Sequence, residues 1–414
     1  MPRVGLATVA REWARIGCVG FGGPPAHIAL LRKLCVEQRG WLSAAEFEDG
    51  IAVTNLLPGP ASTQMAILCA WRLAGPAGAL VGGACFIVPG LIVILGLAQL
   101  FLADHPPLWV AGAAAGAGSA VPAVAIAAAV GLIPASWQRA APTTDVPGDV
   151  PGRSSSALGE ARPSDVAVSS RWPRLRWVGY LLAGGVAAGL AGPFLVLVLA
   201  ACGLIELPMR ASGRAAGAGR GGIAGLLPLA LAAPAATGGL LAVAWVAFKV
   251  GALSYGGGFV IVPLMQRDTV HTYHWMSGAQ FLSAVALGQV TPGPVVQTVA
   301  VVGFAAAGLG GGLLASLVAF APSFAFVLGG APHFAALRRN ARVQAFLTGA
   351  GPAAIGAIAG SSVSLGLELS QYWQAGVLGL AAIWLLALRK NVVAAIVGAG
   401  ALGVIAALAG APLR

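Results

Sequence analysis

Residues 15–25 read RIGCVGFGGPP and residues 249–259 read KVGALSYGGGF. Each string sets a basic residue, a glycine two places on, an aromatic and a glycine cluster, and the two lie 234 positions apart. At that offset Arg15 pairs with Lys249, Gly17 with Gly251, Phe21 with Tyr255, Gly22 with Gly256 and Gly23 with Gly257. The register continues without a gap through Trp41 and Trp275, Ser43 and Ser277, Phe47 and Phe281, Ala52 and Ala286, and Asn55 and Gln289. It ends on Pro58-Gly59-Pro60 and Pro292-Gly293-Pro294. Glycines match by chance in a glycine-rich chain. A tryptophan and two prolines in one ungapped register do not, so the chain reads as two copies of one unit.

Composition fixes what kind of unit this is. Hydrophobic residues form 58% of the chain and charged residues 9%, against about a quarter charged in a soluble domain. Apolar runs at 78–103, 111–132, 310–330 and 392–411 have roughly the 20 residues that a bilayer-crossing helix needs. They do not alternate, which excludes a β-barrel. The expected fold is all-α, a polytopic membrane protein of about ten to thirteen spans. With 60 glycines and 27 prolines, tight helix packing and discontinuous helices are expected, since broken backbone at membrane depth survives only where it is buried or lines a cavity.

Duplicated halves are a recurring plan of secondary transporters. Loop charge indicates the relative orientation of the halves. The segment 104–108 (DHPPL) has no Lys or Arg, while its counterpart 337–342 (LRRNAR) has three Arg. The stretch 136–176 carries six Arg and its counterpart 367–372 none, and 191–193 is uncharged against Arg389-Lys390. Under the positive-inside rule the halves face opposite ways, with cytoplasmic loops near 32–39, 136–176, 208–220, 337–342 and 389–390. The expected organisation is a first repeat at 1–207, a connector at 208–235 with an extra crossing at 221–237, and an inverted second repeat at 236–414. The Pro-, Ser- and Gly-rich piece at about 140–172 reads as a disordered insertion. The net charge of +11 is orienting loop charge, not a nucleic-acid surface. Five cysteines without metal spacing read as buried small hydrophobes, so no metal or cofactor is expected. Arg11, Glu12 and Arg15 interrupt any signal-peptide core.

Two paired features carry chemistry. Arg15 and Lys249 precede glycine clusters (Gly22 and Gly23; Tyr255, Gly256, Gly257 and Gly258) in apolar surroundings, where an ionised side chain is costly and points to function. The break frees backbone N–H groups, and a helix restarting at Pro24 or Phe259 aims the positive end of its dipole at the gap. The competing reading puts Arg15 on an amphipathic helix, snorkelling to the interface. The second feature is NLLPGP at 55–60 with QVTPGP at 289–294. Two prolines around a glycine end one helix and start another, leaving unpaired carbonyls and amides. Asn55, Ser62, Thr63 and Gln64 gather at Pro58, Gly59 and Pro60, and Gln289, Thr291, Gln297 and Thr298 at Pro292, Gly293 and Pro294. Such groups donate hydrogen bonds to a tetrahedral anion without titrating; a kink with its polar groups satisfied internally is the alternative. His27 follows the first break and either donates to an anion or is a buried imidazole. Glu46, Glu48 and Asp49 read as a solvated face, and Trp41 and Trp275 as interfacial belt residues.

At these residues the chain resembles a known family. GFGGPPAH at 20–27, NLLPGP at 55–60, SYGGGF at 254–259 and the second PGP at 292–294 are similar to the signatures of chromate ion transporters in their long two-domain form. The resemblance implies an inner-membrane protein that exports chromate, a tetrahedral dianion shaped like sulfate, and confers chromate resistance. It implies chromate as substrate and the bilayer as surroundings; sulfate as a competitor or counter-substrate, protons as a coupling ion and a homodimer stay open. A sulfate or related oxyanion uptake carrier is the alternative. A membrane-embedded enzyme finds no support, because no HExxH, GxSxG or paired intramembrane aspartate occurs.

Overall fold

The computed structural model describes residues 4–55, 57–103, 105–140, 163–191, 195–211, 238–254, 261–330 and 340–413. Among these, every regular element is helical. The first half contains α1 (Leu6–Val19), α2 (Pro24–Arg32), α3 (Ala44–Thr54), α4 (Ala61–Phe101), α5 (Leu108–Ala140), α6 (Pro163–Val186) and α7 (Leu195–Ala211). The second contains α8 (Gly239–Leu253), α9 (Ile261–Gln266), α10 (Gly278–Val290), α11 (Thr298–Gly330), α12 (Ala341–Leu367), α13 (Tyr372–Ala382) and α14 (Val392–Leu408). Four of the helices are long and apolar enough to cross a membrane, and five shorter apolar ones accompany them. The chain is a multi-pass, membrane-embedded protein.

The sequence repeat has a detailed structural counterpart. α2 runs on into a π-helical turn at Lys33–Gln38, and α9 into one at Arg267–Thr272. Both α3 and α10 start on a capping box, Ser43 with Glu46 and Ser277 with Gln280, which satisfies two otherwise unpaired amides at each start. Arg39 lies over the Trp41 ring, and at the matching positions Tyr273 stacks on Trp275.

α4 and α11 are not straight rods. Gly75 (φ 64°) and Gly308 (φ 61°), each after a non-helical alanine, turn the chain sharply, a conformation open to glycine and costly for other residues. A Cβ on Gly78 would lie 2.4 Å from Ala70 O, and one on Gly303 would lie 2.3 Å from Gly311 O. Residues eight apart on a straight helix are about 12 Å apart, so each element is a hairpin: a short limb (61–73; 298–306) folded back on a long one (76–101; 309–330). The long limbs match the apolar runs expected at 78–103 and 310–330.

α1 with the segment after α2, and α8 with the segment after α9, lie side by side as well. Arg39 Nη2 bonds Glu12 Oε1 at 2.8 Å, and Lys249 Nζ bonds Asp268 Oδ2 at 2.5 Å. Residues so distant along the chain meet only if the segment after each break returns beside the one before it. Small residues set how deeply these hairpins pack: a Cβ on Gly17 would lie 2.7 Å from Phe86 O, and one on Gly251 1.9 Å from Ala319 O. The matching glycines therefore seat α1 on the long limb of α4, and α8 on that of α11.

Outside this centre the halves interleave. α6 and α7 of the first half pack on α12 of the second, while α13 and α14 pack on α5. Glycines permit the contact: Gly116 faces Ala399 O, and Gly184 faces Ala353 O. Consecutive halves of the sequence are thus not separate bodies, because each half lends two helices to the other.

Several expectations need correction. Residues 32–39 form the end of α2 and its π turn rather than a loop, because the apolar face of Leu31, Leu34 and Cys35 is buried and keeps the helix going. The insertion expected at 140–172 ends earlier: α6 begins at Pro163, a residue suited to a first helical position, and 141–162 lie outside the described residues. Residues 136–140 and 208–211 likewise belong to α5 and α7. The extra crossing at 221–237 lies outside the described residues, as do Tyr255, Gly256, Gly257 and Gly258.

Candidate functional site

The two Pro-Gly-Pro breaks meet the C-terminal ends of the opposite half's α1 and α8. The Gly59 N–H donates to Ser254 O at 2.6 Å, and the Gly293 N–H donates to Gly20 O at 2.9 Å. Gly59 matches Gly293 and Ser254 matches Gly20 at the offset of 234, so the two bonds are one interaction made twice, crosswise. Gly59 (φ 122°) and Gly293 (φ 99°) take a backbone shape that favours glycine. Each break also receives the long limb of the opposite hairpin. Ser323 Oγ lies 3.2 Å from where a Cβ on Gly59 would sit, and a Cβ on Gly90 would fall 2.0 Å from Pro292 O.

Helix starts converge here. Pro60 caps the short limb of α4, and the first of its amides with a backbone acceptor is that of Gln64, bonded to Pro60 O at 3.0 Å. The amides of Ala61, Ser62 and Thr63 therefore face out of the helix start, where the dipole is positive. On the other side Pro294 leads into a tighter 3-10 turn, Val295–Gln297, before α11. Gln64 Nε2 donates to Pro58 O and Gln297 Nε2 to Ile87 O, both at 2.6 Å. His27, fully buried, donates from Nε2 to Gly20 O at 2.9 Å and sets its ring edge-on to Phe86.

These side chains leave unpaired atoms behind them. Thr63 Oγ1, Gln64 Oε1, Ser254 Oγ and Ser323 Oγ near the Gly59 break have no hydrogen-bond partner among the described residues. Neither do His27 Nδ1, Gln289 Nε2 and Gln297 Oε1 on the Gly293 side. An unsatisfied buried polar group costs about 1–3 kcal/mol, and native structures carry few of them. Here they concentrate at the two backbone breaks.

The remaining expected site residues divide plainly. Gly23, Pro60 and Ser62 are buried at the breaks, and Pro58 is half-buried. Gly22 and Asn55 are exposed. Thr291 and Thr298 hydroxyls bond carbonyls of their own turns, Leu287 O and Val295 O, at 2.8 and 2.9 Å, so they carry the internally satisfied kink chemistry. The two cations are not free: the Arg15 side chain is 59% exposed and pairs with the buried Glu12 at 3.1 Å, and Lys249 pairs with Asp268. The cost of an unpaired charge in an apolar surround explains this, since a neighbouring carboxylate removes it. Their counter-ions are not repeat partners of each other. Glu12 aligns with Val246 and Asp268 with Leu34, so the repeat could not reveal them. At the α2 start, Pro24 and Pro25 have no N–H to offer, leaving that end with fewer donors than expected.

Sequence reasoning missed Ser254, Ser323 and Gly90. The turns at Gly75 and Gly308 lie 233 apart, so beyond them Gly90 corresponds to Ser323, one step out of the ungapped register. Glu206 was also missed: buried on α7, it bonds Arg176 at 3.3 Å and accepts from Tyr180 at 3.0 Å, away from both breaks.

A family model described as chromate transporter matches residues 7–207 and 241–404. A chromate transport protein of Cupriavidus metallidurans is 29% identical over 372 residues, covering 88% of this chain and 83% of its own length. A probable chromate transport protein of Synechococcus elongatus is 28% identical over 371 residues, covering 89% and 86%. One from Pseudomonas aeruginosa is 26% identical over 420 residues, covering 97% and 92%. No solved structure matches the chain.

Proposed function

The chain belongs to the chromate transporter family, and on that premise we propose that it exports chromate across the cytoplasmic membrane by alternating access, conferring chromate resistance. The observation that carries this reading is the cluster of buried, partnerless polar atoms at two helix breaks. Hydroxyls and outward-facing amides at the start of α4 replace the water around a doubly charged tetrahedral anion without a titrating group. Discontinuous helices meeting where repeats join is the arrangement secondary transporters use for anionic substrates.

The second repeat is inverted relative to the first. Supporting this is the difference in positive charge between equivalent loops; the crosswise bonds from Gly59 and Gly293 fit a two-fold relation between the repeats. Because the halves interleave, the moving parts are the central hairpins against the two outer groups, α5 with α13 and α14, and α12 with α6 and α7. Arg15 and Lys249 hold the hairpins through their carboxylates and lend positive potential rather than direct contact. Export of a dianion gains about 2.3 kcal/mol per charge for each 100 mV of inside-negative potential.

The test is chromate and sulfate flux in proteoliposomes under imposed voltage and pH gradients. Chromate flux that follows voltage outward supports export. Transport of sulfate alone, driven inward by a proton gradient, would replace this reading with an uptake carrier.

A further inference from the structure

We propose that the two breaks are unequal and that a single oxyanion is held at the Gly59 break, on the hydroxyls of Ser254, Ser323 and Thr63, while the Gly293 break is its closed structural counterpart. This rests on the oxyanion reading above and assigns it to one side.

The two sites are related by the repeat, so their differences can be compared position by position. At the Gly59 break the opposite half contributes Ser254 and Ser323. At the Gly293 break the same two positions are Gly20 and Gly90. Neither glycine leaves room for a side chain: a Cβ on Gly20 would lie 2.7 Å from the His27 ring, and one on Gly90 2.0 Å from Pro292 O and 2.5 Å from Gln297 Oε1. The Gly293 side is therefore closed by backbone packed on backbone, whereas the Gly59 side meets the Ser323 hydroxyl and the carbonyl of Ser254, a residue that carries a second hydroxyl.

The leftover chemistry differs in the same direction. On the Gly293 side the His27 and Gln297 donors are used on Gly20 O and Ile87 O. What remains there is His27 Nδ1 and Gln297 Oε1, two acceptors, with one amide nitrogen from Gln289. Acceptors meet an anion lone pair to lone pair and repel it. On the Gly59 side the hydroxyls of Thr63, Ser254 and Ser323 are unspent, each can donate, and all three residues are fully buried. Gln64 Oε1 is the acceptor on this side, free to accept a hydrogen bond from a protonated substrate oxygen. The helix starts agree, with amides at Ala61, Ser62 and Thr63 on the Gly59 side and a tightened 3-10 turn on the other. A 13-residue limb behind those amides (61–73) supplies the dipole.

The test measures stoichiometry and affinity on the purified full chain, by equilibrium dialysis with radiolabelled chromate and by melting with and without chromate. One chromate per chain is expected. Ser254→Ala and Ser323→Ala should each weaken binding about ten-fold, and the pair about a hundred-fold, as for loss of hydrogen bonds to a charged group. Melting without chromate should stay at the wild-type value while the chromate-induced rise is lost. Should the double variant not fold, Ser323→Cys in a chain with its native cysteines replaced should be shielded from a small thiol reagent by sulfate. Two chromates per chain, unchanged affinity in the double variant, or no shielding of Cys at 323 would overturn the assignment to one break. Failure of the wild type to bind either oxyanion would overturn the underlying oxyanion reading, and this inference with it.

Discussion

At the scale of single residues, Lys249 illustrates how a charge seen in sequence changes meaning in space. Its ammonium lies 2.5 Å from Asp268 Oδ2 and over the Trp245 ring, with the pair only 22% and 17% exposed. Removing one partner of such a pair leaves the other charge unpaired, and that accounts for much of the usual loss. Lys249→Gln should therefore lower chromate flux about ten-fold or more, and Lys249→Gln/Asp268→Asn should recover most of it. Flux assays on vesicles with matched protein content decide the matter: no recovery in the double variant would return Lys249 to direct substrate contact. Glu46 gives a second residue-scale expectation. The backbone N–H of Ser43, then its hydroxyl, hold the Glu46 carboxyl below its usual range. Because the folded value is depressed, the capping box stabilises the fold above the ordinary carboxylate range and loses that stabilisation as pH falls through the folded value. Glu46→Gln should flatten the fall in melting temperature on acidification from about pH 5 to about pH 3, while Ser43→Ala should cost about 1 kcal/mol at neutral pH.

The elements are governed by where backbone can touch backbone. A turn at Gly75 makes two limbs of one apolar run, and the limbs close because Gly78, Gly82 and Ala70 present almost no side chain to each other. The same economy joins the halves at Gly90, where a methyl group would sit 2.0 Å from Pro292 O. Neither side of that contact is a flexible side chain, so Gly90→Ala has to push the Gly293 break off the long limb of α4. We expect a loss of about 3 kcal/mol or more, read as reduced folded yield and melting temperature. The corresponding change at Ser323→Gly, which removes atoms instead of adding them, should leave folding largely intact and weaken chromate binding. Wild-type melting in Gly90→Ala would show that the contact is looser than the packing implies.

For the whole molecule, interleaving is the property with the largest consequences. α14 packs along α5 and α7 along α12, so neither half of the chain can close a core by itself; expressed separately, the halves should be recovered together or not at all. Orientation of the repeats has a direct test at equivalent loops. His105 lies between α4 and α5 and Ala341 opens α12, the element after α11, and both are exposed. In a background lacking the five native cysteines, His105→Cys and Ala341→Cys should react with a membrane-impermeant reagent from opposite sides. Labelling from the same side would make the repeats parallel and remove the inverted arrangement from the proposed mechanism.

The sequence by itself determined the helical membrane class, the duplication and the places where helices break, because these follow from local properties: apolar run length, ungapped identity at a fixed offset, and residues such as Pro58, Gly59 and Pro60 that cannot continue a helix. It also singled out Thr63, Gln64 and Gln297, whose side chains are buried at the breaks with polar atoms left unpaired. Only the tertiary structure decided that α4 and α11 are hairpins, that the outer helices exchange between halves, and that Arg39 joins Arg15 on Glu12 while Lys249 meets Asp268. Those outcomes depend on which distant surfaces have room for one another, at Gly17 against Phe86 or Gly90 against Pro292, and such steric complementarity has no signature in one dimension. Ser254 and Ser323 show the same limit: unremarkable serines in the string, they become a pair only when Gly59 is folded between them.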